Sequence, residues 1–252
     1  MSINERKTLR LYDACAGGVT IRPCTAGVLR IQLRREHHPS PDDDPNETST
    51  TPTSCFLLWI VIGHSLRRIG VKGVEIRKAE QLENVSSLII PGGESTTMAK
   101  LAELHNLFPA LREFVKMGKP VWGTCAGLIF LANKATGQKT GGQELVGGLD
   151  CTVHRNFFDL PVPELASQEG GPPSFRAVFI RAPAILEVGP GVEVLASVSI
   201  QSSKIGDFNS SLQEESAESD SKVIVAVKQG NILATAFHPE LTIDSRWHTR
   251  EA

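Results

Sequence analysis

The sequence predicts an α/β domain with a mostly parallel central sheet covered by helices, and three observations carry that expectation. From Gly70 onward, short runs of apolar residues alternate with stretches of helical periodicity, which is the pattern of successive strand, turn and helix units. A Gly-x-Cys-x-Gly turn, Gly123 to Gly127, joins an apolar strand to an apolar helix. Later strand patterns follow one another without helices between them, which predicts an antiparallel extension near the C-terminus.

The first candidate strand covers residues 27–33, where Leu29, Ile31 and Leu33 recur with period two. Residues 37–54 are dominated by Pro, Asp, Ser and Thr and cannot bury enough apolar area to offset the entropy of ordering them. They read as a flexible linker. The longest apolar run, residues 55–62, is far short of the ~20 residues a helix needs to cross a bilayer. It is expected to be a buried strand or a segment out of place. Residues 1–64 therefore form a divergent N-terminal region, and 65–252 the main domain.

Within that domain, strands are expected at 74–76 and 88–90, the second running into a Pro-Gly-Gly turn and a helix over 95–104. A helix over 109–117 carries Leu111, Phe114 and Val115 at i, i+3 and i+4, with Pro109 in its first turn and Gly118 as its stop. The strand 119–122 then enters the cysteine turn, followed by a helix over 128–132. Further strands are expected at 178–180, 192–195, 223–227 and 232–236, with a Ser- and Glu-rich disordered loop over 201–221.

Composition narrows the function. A formal net charge of −2 shows no basic excess of the kind that attracts phosphate backbones or an anionic membrane surface, so neither nucleic acid nor a membrane is an expected partner. The five cysteines are odd in number, widely spread and free of any C-x-x-C pair. That argues against a metal site and for a reducing compartment, read as cytoplasmic. The polar and charged start of the chain lacks the apolar stretch of a secretory signal, although its basic residues leave an organelle-transit reading open.

Three segments could carry chemistry. Gly123 to Gly127 matches a nucleophile elbow, in which a sharp strand-to-helix turn lifts a side chain out of the sheet edge. At a helix N-terminus the Cys125 thiol would feel the positive end of the helix dipole, which favours the thiolate. A buried structural cysteine in a Gly-rich turn fits the same pentapeptide. In His238-Pro239-Glu240, two positions of extended chain put the base and an acid that could orient it on one side. A surface histidine beside a solvated acid is the alternative. Pro91-Gly92-Gly93-Glu94-Ser95 follows a strand, and its glycines let backbone N–H groups approach a ligand, so that with Ala126 they could line an oxyanion hole. An ordinary turn with Ser95 or Thr96 capping the next helix reads equally well.

Together these segments resemble the class I, triad-type glutamine amidotransferases. The strings PGGESTTM from Pro91, GTCAGL from Gly123, HRNFF from His154, FIRAP from Phe179 and FHPELT from Phe237 are similar to the family of glutaminase subunits of pyridoxal 5'-phosphate synthase. The resemblance runs from about Ser65 to Trp247 and implies a flavodoxin-like, three-layer fold. It implies glutamine hydrolysis, with Cys125 as nucleophile, His238 as acid and base, and Glu240 as its orienter. Gly93, Glu94, Ser95, Arg155, Ile180 and Arg181 fall on glutamine-contacting positions, and Gly93 and Ala126 on the oxyanion hole. A guanidinium suits a carboxylate and the Glu94 carboxylate an ammonium, although Arg155 and Arg181 would also serve as surface arginines. The implied partners are L-glutamine and a barrel-fold synthase subunit that makes pyridoxal 5'-phosphate, with no metal or organic cofactor.

The chain departs from the family pattern in three places. Some thirty foreign residues separate Gln32 from His64, about a dozen residues are missing after Phe158, and the helix expected after Trp247 is absent. These departures predict weak or no glutaminase activity. They leave two other readings, a non-catalytic binding or regulatory subunit and the glutaminase of another amidotransferase complex.

Overall fold

The computed structural model of the chain describes residues 25–29, 53–137, 142–158, 175–200 and 221–248. Its strands are β1 (Thr25–Leu29), β2 (Lys72–Ile76), β3 (Ser87–Ile90), β4 (Val121–Thr124), β5 (Ala132–Thr136), β6 (Leu149–Phe158), β7 (Ala182–Val188), β8 (Glu193–Ile200), β9 (Ser221–Gln229) and β10 (Ile232–Thr235). The helices are α1 (Thr53–Arg68), α2 (Ser95–Leu104), α3 (Leu107–Lys116) and α4 (Ala126–Leu131).

These strands form one sheet in the order β2-β1-β3-β4-β10-β9-β7-β6-β5, with β8 on β9. From β2 to β10 all neighbours are parallel, as the strand-turn-helix alternation predicts. Beyond β10 the pairs to β9, β7 and β6 are antiparallel, the extension expected from consecutive strands without helices. This is an α/β fold of the flavodoxin-like kind, whose ligands sit outside the carboxyl ends of the parallel strands.

Alternation along the central strands divides the core in two. Ile89 of β3 and Trp122 of β4 join Ala26 and Val28 of β1 beneath Ile62 and Leu66 of α1. Leu88, Ile90 and Val121 point the other way, into a larger core with α2, α3 and α4. Phe130 and Phe237 are fully buried there, and side chains of that size stabilise the fold by ~1.5–3 kcal/mol each.

Several expectations are corrected. Residues 55–62 lie inside α1, neither a strand nor out of place, and α1 continues across residue 64. A short apolar run does not distinguish helix from strand, and the deciding signal was Ile62 and Leu66, one turn apart and both buried. The strand expected at 178–180 starts instead at Ala182, because Ile180 and Arg181 form an exposed turn. β5 and β6 were not foreseen. In β6 the residues facing inward are Leu149, Cys151, Val153 and Arg155, so period two is present but ends on a charged residue that hides it. The expected linker 37–54, apart from its last two residues, and the loop 201–221, apart from Ser221, lie outside the described residues.

Candidate active site

β3 and β4 lie side by side in the centre of the sheet, and the turns at their carboxyl ends meet. Cys125 follows β4 with φ 50° and ψ −103°, a conformation L residues avoid, at a cost on the order of 1–3 kcal/mol. Its backbone N–H donates to Thr235 O at 2.8 Å, which ties the turn to β10. The flanking glycines are required sterically. A Cβ on Gly127 would lie 2.0 Å from Ile90 O, and one on Gly123 would lie 2.5 Å from the Gly127 backbone. The Gly-x-Cys-x-Gly string is thus a true elbow, with the thiol at the start of α4.

His238 and Glu240 follow β10 and enter the site from beside β4. The His238 Nδ1 and Glu240 Oε1 atoms are 2.9 Å apart, and both side chains are buried. The Cys125 side chain also acts on the ring. Gly92 closes the group: a Cβ there would lie 2.3 Å from His238 Cε1 and 3.2 Å from Cys125 Cβ. Cys125, His238 and Glu240 therefore stand together, with the glycine of the β3 turn packed against them.

Burial works against charge on the His238 ring, but the Cys125 sulfur beside it and the Glu240 carboxylate outweigh burial and push its pKa up to about 10. The arrangement favours an imidazolium between the Cys125 sulfur and the Glu240 carboxyl group. α4 is only six residues long, which limits the helix dipole expected from sequence. His238 is expected to stay charged at pH 8, and Cys125→Ala to lower its titration point, since the largest contribution raising it is removed. NMR titration of the ring checks this; an unchanged midpoint in the variant would show that the sulfur does not act on the ring.

The Pro91–Ser95 string does two jobs. The Gly92 N–H donates to Thr124 Oγ1 at 3.1 Å, and Gly93 adopts φ 149°, open to glycine. Glu94, and not Ser95 or Thr96, caps α2, accepting from Thr96 N at 3.3 Å and Thr97 N at 2.6 Å. Burial tends to raise the Glu94 carboxyl, but these bonds from Thr97 and Thr96 hold it below its usual range. Ser95 is buried in the first turn of the helix.

Arg155 is brought in from β6 across the sheet. Its Nη2 donates to Thr96 Oγ1 at 3.0 Å and lies 3.3 Å from Glu94 Oε1, in a side chain that is almost wholly buried. It is not a surface arginine. Ile180 and Arg181 sit in the exposed turn before β7, Arg181 with φ 43°. That turn is tied to the site through Val178 O, which accepts from His238 N at 2.9 Å. Sequence reasoning missed Thr124 and gave Thr96 only a capping role; both are ordinary hydroxyls whose partners are set by the fold. Among the described residues, no group of His, Cys, Asp or Glu is arranged to hold a metal ion, and no helix is long and apolar enough to cross a membrane.

Comparison with known proteins shows the family. Residues 61–250 match the model of the SNO glutamine amidotransferase family. The chain is 72% identical over 196 residues, 73% of this chain and 77% of the other, to an Arabidopsis thaliana protein named "Probable pyridoxal 5'-phosphate synthase subunit PDX2". It is 43% identical over 186 residues, 73% of this chain and 84% of the other, to the pyridoxal 5'-phosphate synthase subunit PdxT of a Nocardioides species. The crystal structure of a glutamine amidotransferase superposes with a TM-score of 0.60 at 34% identity, covering 88% of this chain and 94% of that one.

Proposed function

Because the chain belongs to the SNO glutamine amidotransferase family, we propose that it hydrolyses L-glutamine with Cys125, His238 and Glu240 and passes the ammonia to a synthase subunit that makes pyridoxal 5'-phosphate. The observation that carries this reading is the packing of a thiol, an imidazole and a carboxylate in a line at the carboxyl end of the parallel sheet, with Gly92 fitted against the ring.

The Cys125 thiolate attacks the carboxamide carbon, and the oxyanion that forms is met by the N–H groups of Gly93 and Ala126. Gly93 is assigned this role because the amide before it is engaged by Thr124. The C–N bond breaks as the His238 imidazolium gives its proton to the departing nitrogen, releasing ammonia and leaving a thioester on Cys125. His238, now neutral, takes a proton from water, which attacks the thioester; glutamate leaves and the thiolate is restored. Glu240 holds the ring through Nδ1 in both halves of the cycle. Every step is acyl or proton transfer among these side chains, so the chemistry calls for no metal or organic cofactor.

Arg155, Glu94, Ser95, Ile180 and Arg181 are assigned to the amino-acid end of glutamine. The Arg155–Glu94 pair at the start of α2 offers opposite charges to the carboxylate and ammonium of the substrate. Ammonia is mostly protonated and non-nucleophilic near neutral pH, so a glutaminase of this kind gains from delivering it directly to a barrel-fold synthase subunit. A thiol nucleophile must stay unoxidised, and a cytoplasmic location, where thiols are kept reduced, is assigned on that ground. The relatives' names favour pyridoxal 5'-phosphate over another amidotransferase complex or a non-catalytic role.

The test is ammonia release from L-glutamine by the chain alone and with a pyridoxal 5'-phosphate synthase subunit. Weak release that rises when the synthase is added is expected. Absence of release under both conditions, from a chain that binds the synthase, would overturn the catalytic reading.

A further inference from the structure

The catalytic carboxylate is held by one oxygen only. Glu240 Oε1 faces His238 Nδ1, whereas Glu240 Oε2 is buried and has no hydrogen-bond partner among the described residues. A second buried atom is in the same position, Nδ1 of His248, whose ring feels the Glu240 carboxylate. His248 is buried and lies edge-on to the Trp122 ring, with centroids 5.1 Å apart and planes at 72°. Trp122 is the second residue of β4, so His248 sits under the strand that carries the nucleophile.

The segment after Glu240 is folded back to make this contact. Thr242 Oγ1 donates to Pro239 O at 2.9 Å, and His248 N donates to Ser245 O at 2.8 Å. Arg68, at the end of α1, donates from Nη2 to Ile243 O at 2.8 Å. Trp247 packs on Phe237 with centroids 5.2 Å apart. The charged groups acting on the His248 ring are the Glu240 carboxylate and the Arg68 guanidinium; burial lowers its basicity first, Glu240 opposes that, and Arg68 adds to it. The ring is therefore neutral near pH 7 and can donate from one nitrogen. Buried polar atoms left unpaired are rare in folded proteins, and a buried acceptor beside a buried donor is the usual setting for a bridging water.

We propose that His248 is a positioning residue for the Glu240 carboxylate, its Nδ1 bridged through one buried water to Glu240 Oε2. With a donor on each oxygen, the carboxylate plane is fixed and Oε1 stays aligned with His238. Without His248, the carboxylate can rotate and the imidazolium loses its orientation toward Cys125. The inference rests on the triad assigned above and extends it by one residue.

The test compares His248→Phe and His248→Gln with the parent by two readouts, the rate of Cys125 alkylation by iodoacetamide at pH 7 and glutamine turnover with the synthase subunit. Phe keeps the ring contact with Trp122 and removes both nitrogens. Gln keeps a donor within reach of Glu240. For His248→Phe, alkylation and kcat are expected to fall roughly tenfold with KM for glutamine nearly unchanged, as for a misaligned catalytic group. His248→Gln is expected to recover most of both. Equal alkylation rates in parent and His248→Phe, or a Gln variant no better than Phe, would overturn the inference. Alkylation that responds to His248 in a chain without glutamine turnover would keep the inference and remove the glutaminase reading.

Discussion

Cys125→Ala is expected to reduce glutamine turnover by on the order of 10⁴-fold or more, while Cys151→Ala leaves it within about twofold. The two thiols are both buried and both free, and their surroundings separate them. Burial first, and then the charge of Asp150, push the Cys151 thiol up to about 12, so it is not a thiolate at neutral pH. Cys125 sits against a ring that the site keeps protonated, at a turn whose strained backbone presents the sulfur to the substrate side of the sheet. On the proposed mechanism, removing the thiol removes the atom that forms the acyl bond, and the N–H groups that remain can polarise a carboxamide without cleaving it. Ammonia release in the presence of the synthase subunit measures this, with far-ultraviolet circular dichroism as the check on folding. Turnover retained in Cys125→Ala, or lost to the same extent in Cys151→Ala, would remove the nucleophile assignment.

The juxtaposition of Cys125, His238 and Glu240 was legible in the sequence because each member sits on a string with a mechanical reason. Gly123 and Gly127 announce a turn that no side chain can occupy, and His238 and Glu240 are two residues apart in extended chain. The parallel half of the sheet was legible for a related reason. Leu88, Ile89 and Ile90 are buried on both faces, which makes a continuous apolar run followed by a tight turn. What stayed hidden depends on distant partners. Arg155 reads as a surface residue until Thr96 and Glu94 are placed opposite it, 59 and 61 residues away. Glu94 as the cap of α2 was obscured by Ser95 and Thr96, stronger capping types in the same turn that lie inside the helix. The helix α1 was hidden by a neighbour in sequence: its apolar start follows a Pro- and Ser-rich tract, so the periodicity had no clear boundary.

Restoring to this chain the stretch that the family carries between Phe158 and Pro163 is expected to raise glutamine turnover roughly 10²-fold with the synthase subunit, because a substrate-positioning group displaced by about 1 Å can cost that much. The alignment to the Arabidopsis relative gives the first reason. Its 196 positions take in 73% of a 252-residue chain, so about a dozen of them have no counterpart here. The second reason is Arg155. It lies three residues before the end of β6, after which the resemblance places the missing stretch, and the β6–β7 register shifts between His154 and Phe158. Its 3.3 Å approach to Glu94 is longer than the ~2.7–2.9 Å usual for a charge-assisted bond, and its Nε has no partner among the described residues. A guanidinium held this loosely gains the most from a restored neighbour. The tract at 37–54 is a weaker candidate for repair, since even doubling a flexible loop adds only ~0.6 kcal/mol of closure entropy. Shortening that tract is therefore expected to change turnover far less than refilling the gap. Turnover by the unmodified chain equal to that of the refilled one would show that Arg155 is already placed and that the missing residues do not contribute to the glutamine pocket.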